Sequence, residues 1–88
     1  MTRRLLKALD ALLETQSVTA AAQRRSLTQP TVSAALGRLR ILFDDELLVR
    51  TGRTMHATLF ADTLAPKVRG TLREIEGIVS ALALRSVR

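Results

Sequence analysis

Apolar residues at the start of the chain recur at a helical spacing, with charged residues between them. The leucines concerned are Leu5, Leu6, Leu9, Leu12 and Leu13. This spacing predicts an amphipathic helix of about three to four turns that ends near Gln16. Ser17 is a favourable N-cap for the next segment, and Val18–Arg24 is predicted to form a short helix rich in alanine.

A third helix is predicted over residues 29–43. Thr28 can cap it, and Pro30 falls in the first turn, where the missing N–H costs no hydrogen bond. Its apolar stripe consists of Val32, Leu36, Leu39 and Phe43. The opposite face lacks the glutamates and lysines of an ordinary solvated face and carries Gln29, Thr31, Ser33, Ala34, Gly37 and Arg38. This asymmetry indicates a surface that contacts a partner.

The pattern changes after the acidic run 44–46. Leu47–Arg50 and Thr54–Thr58 are predicted to form two short strands, and Gly52 provides the permissive backbone that a tight turn between them needs. Past Thr58, which can cap it, a long helix is predicted to run to about Leu84, with Pro66 kinking it or lying near its start.

Apolar residues within this long helix recur at intervals of four, three, four and three. They are Val68, Leu72, Ile75, Val79 and Leu82. Such a heptad-like seam is not covered by one helix alone. It packs on the first helix of the chain, on a partner, or on both. We expect Leu64 and Val68 to face inward and the segment from Ile75 to Leu82 to face a partner.

Three short helices followed by a hairpin are the element order of a winged helix-turn-helix. We therefore expect an all-α fold with a small β-hairpin wing, residues 1–58, followed by a long dimerisation helix, residues 59–88. In a helix-turn-helix, the second helix of the pair enters the DNA major groove with its N-terminal residues. Here Gln29 could contact adenine, and Thr28 could contact a base or phosphate. The alternative is that both residues only cap the helix.

Charge favours the same class of partner. The chain has 14 basic and 8 acidic residues, a net charge of +6, and twelve of the basic residues are arginine. Arginine presents a planar fork that fits phosphate and base edges, so nucleic acid is a candidate partner. Many small proteins are nevertheless basic without binding nucleic acid.

Enzymatic functions are disfavoured by length and composition. The 88 residues suffice for one domain; cysteine is absent and His56 is the single histidine. Asp44, Asp45 and Glu46 are consecutive at a helix end, so their side chains diverge, and a solvated acidic turn is expected rather than a metal site. We expect neither a metal nor a cofactor. Charged residues interrupt the first apolar segment, which argues against a signal or membrane segment and favours a cytoplasmic location.

Three separated stretches carry a resemblance to a known family. They are Ser17–Ala22, Leu27–Ser33 with Leu36–Leu39, and Leu47–Arg53. In this order and spacing they resemble the N-terminal domain of LysR-type transcriptional regulators, over roughly residues 4–84. The segment 42–51 is most similar to the branch that contains nodulation and aromatic-degradation regulators. The resemblance implies a bacterial regulator whose winged helix-turn-helix binds operator DNA.

The resemblance also implies which residues contact DNA. Recognition-helix positions face the major groove, the start of the second helix meets a phosphate, and the wing reaches the minor groove. The implied residues are Ser17, Thr19, Thr28, Gln29, Pro30, Thr31, Ser33, Ala34, Arg38, Arg50 and Arg53. Ala34 stands where many members have arginine, so base recognition there is expected to differ. Thr58-Leu59 replaces the usual Thr-Pro or Thr-Glu, which affects the expected start of the long helix.

The last helix resembles the family's linker helix, which pairs with a second copy in antiparallel orientation. The implied homodimer contacts are Val68, Leu72, Ile75, Val79 and Leu82. Family members continue into a larger domain that binds a small-molecule co-inducer. That domain is absent from this sequence, and we expect a fragment rather than a naturally short protein.

The predicted function is sequence-specific binding of double-stranded DNA by the operator-recognition domain of such a regulator. One alternative is a helical protein-interaction or dimerisation module with only non-specific affinity for DNA. A second alternative, a small hydrolase or transferase, is disfavoured because no Ser or carboxylate is paired with a base at a useful spacing.

Overall fold

The computed structural model of the protein describes residues 2–86. The elements in chain order are α1 (Thr2–Thr15), α2 (Val18–Arg25), α3 (Gln29–Phe43), β1 (Leu48–Thr51), β2 (Thr54–Ala57) and α4 (Leu59–Ser86). The two strands form an antiparallel hairpin. The helical fold with a small hairpin wing and a long last helix is therefore confirmed.

Side-chain hydroxyl groups begin three of the helices, as the sequence predicts. Ser17, Thr28 and Thr58 each accept a hydrogen bond from the backbone N–H three residues further on, at 3.1, 3.3 and 3.1 Å. These bonds satisfy donors that have no partner within the helix itself. Thr58 thus caps α4 although the residue after it is leucine.

Helix α1 lies at the centre of the fold and packs against α2, α3 and α4. Leu9 and Leu12 are completely buried there. Ala21 and Ala22 of α2 are also buried, which lets α2 pack closely against its neighbours. The α3 residues Val32, Leu36 and Leu39 complete this core, with Phe43 partly buried at its edge.

Helix α4 belongs to the core in its first half and leaves it in the second. Val68 and Leu72 are covered by the chain itself, with 4% and 9% of their surface exposed. Ile78 and Val79 are exposed. Val68 thus has the expected inward position, and the inward face also includes Leu72; both residues are nevertheless among the homodimer contacts that the resemblance implies. These two residues can offer little surface to a partner, because the α1 side of the core already covers them.

The wing differs slightly from its predicted limits. Leu47 precedes the first strand because its φ of 64° is left-handed, a conformation that an extended strand does not use. Gly52 has the same φ at the first of the two turn residues, where a positive value is required. Pro66 lies within α4, two turns after its start, and the helix continues to Ser86. Among the helices of residues 2–86, none is both long and apolar enough to span a bilayer.

Candidate nucleic-acid interface

A cleft of about 840 Å³ separates the N-terminal ends of α2 and α3 from the wing. It brings together six residues that the sequence assigned to DNA binding: Ser17, Thr19, Gln29, Ser33, Arg50 and Arg53. They come from three elements that are distant in the sequence. We call this cavity the wing cleft.

Helix geometry explains the composition of the wing cleft. Gln29 and Ser33 are four residues apart on α3, so they share one face. Ser17 and Thr19 lie at the start of α2, where backbone N–H groups point out of the helix end. The cleft is therefore lined by hydroxyl, amide and guanidinium groups.

The wing itself holds its arginines near the turn. Arg50 pairs with Met55 across the hairpin, and Arg53 is in the two-residue turn. Both arginines are exposed and make no ion pair with any residue between 2 and 86. His56 is a β2 residue whose Nε2 lies 3.0 Å from the Thr54 hydroxyl.

A hydrogen-bonded clamp at the base of the wing was not predicted from the sequence. Arg40, near the end of α3, donates from Nε to the Glu46 carbonyl at 2.8 Å and from Nη2 to the Leu48 carbonyl at 2.7 Å. These bonds attach the start of β1 to α3. They fix the direction in which the wing leaves the core.

Asp45 forms the second half of this clamp. Its Oδ2 accepts hydrogen bonds from the Leu47 N–H at 2.8 Å and from the Thr58 hydroxyl at 2.7 Å. The Thr58 N–H in turn donates to the Leu47 carbonyl at 2.9 Å. The expectation of a merely solvated acidic turn was therefore wrong for Asp45. An aspartate two residues before a backbone donor is a known turn signal and could have indicated the Leu47 bond.

The remaining predicted α3 residues lie outside the wing cleft. Pro30 and Ala34 are exposed on the front of the helix. Thr31 and Arg38 line a different groove, on the α1 side of α3. The hydroxyl groups of Thr28 and Thr31 lie 2.8 Å apart and so bond each other. The structure thus divides the predicted contacts into a wing side, a front and an α1 side.

Ion pairs neutralise other basic residues on the far side of the molecule. Arg3 and Lys7 of α1 approach Glu76 of α4 at 2.7 and 3.6 Å. The hydrogen bond from Arg3 holds the pKa of Glu76 below its ordinary value. Arg69 pairs with Asp10 at 3.7 Å. These contacts join α1 to α4.

Among the described residues that line the wing cleft, Glu14 is the one that is acidic. Arg24 of α2 and Arg69 of α4 both form ion pairs with its carboxylate. Two guanidinium groups thus surround one carboxylate, so this residue adds no net negative charge to the cleft. In the described part of the chain, no three His, Cys, Asp or Glu residues are grouped in a way that could hold a metal ion.

Comparison with known proteins also supports a DNA-binding surface. The model of the lysR family of bacterial regulatory helix-turn-helix proteins matches residues 3–62. Nodulation protein D 1 of Neorhizobium galegae is 51% identical over 72 residues, which are 82% of this chain and 23% of that protein. The chain thus spans about a quarter of the length of the curated relatives that it matches.

Two solved complexes with DNA share the fold. The DNA-binding domain of BenM with catB site 1 DNA has a TM-score of 0.86 at 26% identity, covering 98% of this chain and 97% of that chain. The DNA-binding domain of CbnR with DNA has a TM-score of 0.80 at 26% identity, covering all of both chains. Together with the family match over residues 3–62, these findings show that the chain belongs to the lysR family of bacterial regulatory helix-turn-helix proteins, which are DNA-binding transcription regulators and not enzymes.

Proposed function

We propose that this chain recognises an operator in double-stranded DNA as a homodimer, with α3 in the major groove and the wing at the adjacent minor groove. The observation that carries the proposal is the wing cleft. It places Gln29 and Ser33, which suit base edges, beside the unpaired Arg50 and Arg53, which suit phosphate and a narrow minor groove.

Base recognition is assigned to α3. Gln29 can form two hydrogen bonds with adenine, and Ser33 can bond a base or a phosphate. Pro30 and Ala34 on the front of the helix leave room for close approach to the bases. Ala34 offers no hydrogen bond, so its contribution is limited to apolar contact, for example with a thymine methyl group.

Positioning on the duplex is assigned to groups that bind phosphate. Ser17 and Thr19 stand at the start of α2, where helix N–H groups attract anions. Arg50 and Arg53 add charge from the wing, and Arg38 adds charge from the other side of α3. Such contacts set orientation and affinity, whereas base contacts set the sequence preference.

Dimerisation is assigned to α4, so residues 1–58 read DNA and residues 59–88 join two copies. Residues 87–88 of that segment lie outside the described residues. Beyond Leu72 the helix exposes apolar surface at Ile78, Val79 and Leu84, with 64%, 40% and 74% exposure. Burying such surface against a second copy is favourable. Two copies would read half-sites about one helical turn apart or a multiple of it. DNA as the partner implies a cytoplasmic location in a bacterium.

Selection from a pool of random duplexes at moderate salt tests the proposal. Enrichment of an inverted repeat with A·T-rich flanks is the expected result and would supply the operator. Enrichment of a single half-site would retain DNA recognition and remove the dimer from this chain. Binding without enrichment, lost as salt rises, would favour a helical interaction module with non-specific DNA affinity.

Gln29→Ala then tests base recognition on the selected duplex. We expect a loss of about 1–3 kcal/mol there and little change on random DNA, because the base contact is specific. Gln23→Ala is a matched control, since Gln23 is exposed on α2 and does not line the wing cleft. Equal losses of binding free energy on the selected and the random duplex would show that Gln29 does not recognise a base.

A further inference from the structure

A second groove, of about 570 Å³, follows the other flank of α3. Four basic residues from three helices line it: Arg4 and Lys7 of α1, Arg25 of α2 and Arg38 of α3. Among the described residues that line it, none is acidic. We call this cavity the basic groove.

Three of the four basic residues in the basic groove have no counterion among the described residues. Lys7 has Glu76 at 3.6 Å. Arg4, Arg25 and Arg38 form no ion pair with any residue from 2 to 86. Three guanidinium groups around one groove repel one another, and this repulsion is relieved when an anion enters. Arginine is well suited to phosphate because its planar fork can donate two parallel hydrogen bonds.

The side of α3 on which the basic groove lies indicates which DNA phosphates it could bind. Successive helix residues are about 100° apart, since 3.6 residues make one turn. Gln29 and Ser33 therefore project toward the wing cleft and Thr31 and Arg38 toward the basic groove, in agreement with the lining of each cavity. The exposed front of the helix, at Ala34, lies between the two flanks.

A helix in the major groove of DNA lies between two phosphodiester strands, because the groove is about 12 Å wide and just admits it. Each flank of α3 then faces one strand. Residues of the wing cleft can contact the phosphates of the strand on the wing side. The basic groove faces the other strand. Of the residues that the family resemblance assigns to DNA contact, Thr31 and Arg38 line this groove, and Arg38 is the one that is charged.

We propose that the basic groove binds phosphodiester groups of the second DNA strand, through Arg4 and Arg25 together with Arg38. This inference rests on the proposed function, because it requires α3 to lie in the major groove. The two arginines hold the recognition helix from the side opposite the wing. They contribute to affinity and register and do not select bases.

The salt dependence of binding to a random duplex of about 30 base pairs tests this assignment. Each phosphate contact contributes about 0.9 to the slope of log K against log salt concentration. We expect the double variant Arg4→Ala/Arg25→Ala to lower the slope by about 2 per protomer. The control Lys67→Ala/Arg73→Ala removes the same charge from exposed positions on α4, outside both cavities, and should keep the slope.

Ethylation interference on the selected duplex assigns the strand, because ethylation removes the charge of one phosphate at a time. Wild-type binding should be sensitive on both strands beside each half-site. The Arg4/Arg25 variant should lose sensitivity on one strand, and Arg50→Ala/Arg53→Ala should lose it on the other. Arg4→Lys/Arg25→Lys keeps both charges and should keep the slope, which separates lost contacts from a folding defect.

The assignment of the basic groove would be overturned if the Arg4/Arg25 variant kept the wild-type slope and interference pattern while the wing variant lowered the slope and lost sensitivity on one strand. The proposed function would then remain intact. A slope change equal to that of the control would also overturn the assignment of the basic groove. If no sequence is enriched and no variant alters the slope, the proposed function itself fails.

Discussion

Along the junction of α1 and α4, arginine is a structural residue, whereas along α3 and the wing it faces solvent. Arg3 and Arg69 contact carboxylates of Glu76, Asp10 and Glu14 across the helix junction. On the other face, Arg38, Arg50 and Arg53 form no ion pair with any residue described between 2 and 86. Three arginines without a counterion among the described residues therefore lie where DNA is proposed to bind.

The acidic residues show why the two faces differ. Asp10, Glu14 and Glu76 are used between helices, and Asp45 is used inside the wing clamp. Glu14 borders the wing cleft, yet two arginines neutralise it. Four of the eight acidic residues thus have partners within the fold: three form ion pairs with basic residues, and Asp45 accepts two hydrogen bonds. Four predictions test this difference between the two faces.

The largest effect is expected from Arg50→Ala/Arg53→Ala. The slope of log K against log salt should fall by about 2 per protomer, because Arg50 and Arg53 have no counterion among the described residues and are proposed to contact phosphates. Arg53→Ala alone should weaken binding most when the flanks of the site are A·T-rich, since a narrow minor groove attracts arginine. Fluorescence anisotropy titrations at several salt concentrations measure both effects.

The matched control for the wing variant is Arg3→Ala/Arg24→Ala, which removes the same charge from ion-paired positions. Lys7 remains beside Glu76 and Arg69 beside Glu14, so neither carboxylate becomes isolated. Its slope should stay near the wild-type value. Equal slopes for the two double variants would show that the faces do not differ in their use of arginine.

The next effect concerns Asp45, whose carboxylate accepts two hydrogen bonds at the base of the wing. Asp45→Ala should lower the free energy of unfolding by about 1–3 kcal/mol, because the Leu47 N–H and the Thr58 hydroxyl both lose their acceptor. Urea denaturation followed by circular dichroism measures it. Glu46→Ala, an exposed neighbour, should change stability much less. Similar losses for both variants would contradict the clamp.

A smaller effect is expected at the helix junction. Arg69→Ala removes the ion pairs with Asp10 and Glu14, which are partly exposed, so the free energy of unfolding should fall by about 0.2–1 kcal/mol. Arg24 still pairs with Glu14, so DNA affinity should stay near the wild-type value. Urea denaturation and anisotropy titration measure the two quantities. A loss of DNA affinity as large as that of Arg50→Ala/Arg53→Ala would contradict the division between the two faces.

The smallest effect is the acid dependence contributed by Glu76. Its pKa is lowered in the folded state, first by the Arg3 hydrogen bond. The contribution to stability is therefore complete above the ordinary pKa of 4.5 and is lost as pH falls through the lower folded value. Thermal unfolding of Glu76→Gln should show a shallower loss of stability with acid than wild type. Parallel curves would show that the Arg3 contact does not contribute.

Much of the fold follows from the sequence because its causes are local. The hydroxyl caps at Ser17, Thr28 and Thr58 act on N–H groups three residues away. The stripe on α3 is defined by the helical period, and Gly52 permits the turn. The α3 residues proposed to face DNA were predicted because their face lacks the glutamates and lysines of a solvated helix and because the motif around them resembles that of a family.

The sequence alone determined the order of the helices and the wing and the residues that cap three of the helices, since those choices depend on neighbours a few residues away. Only the tertiary structure decided which arginines are paired. Arg3 meets Glu76 across 73 residues, and Arg69 meets Glu14 across 55. Such pairs depend on how α1 docks against α4, which local hydrogen bonds do not specify. The same docking covers Leu72, and it divides one basic composition into a structural face and a face that is free to meet DNA.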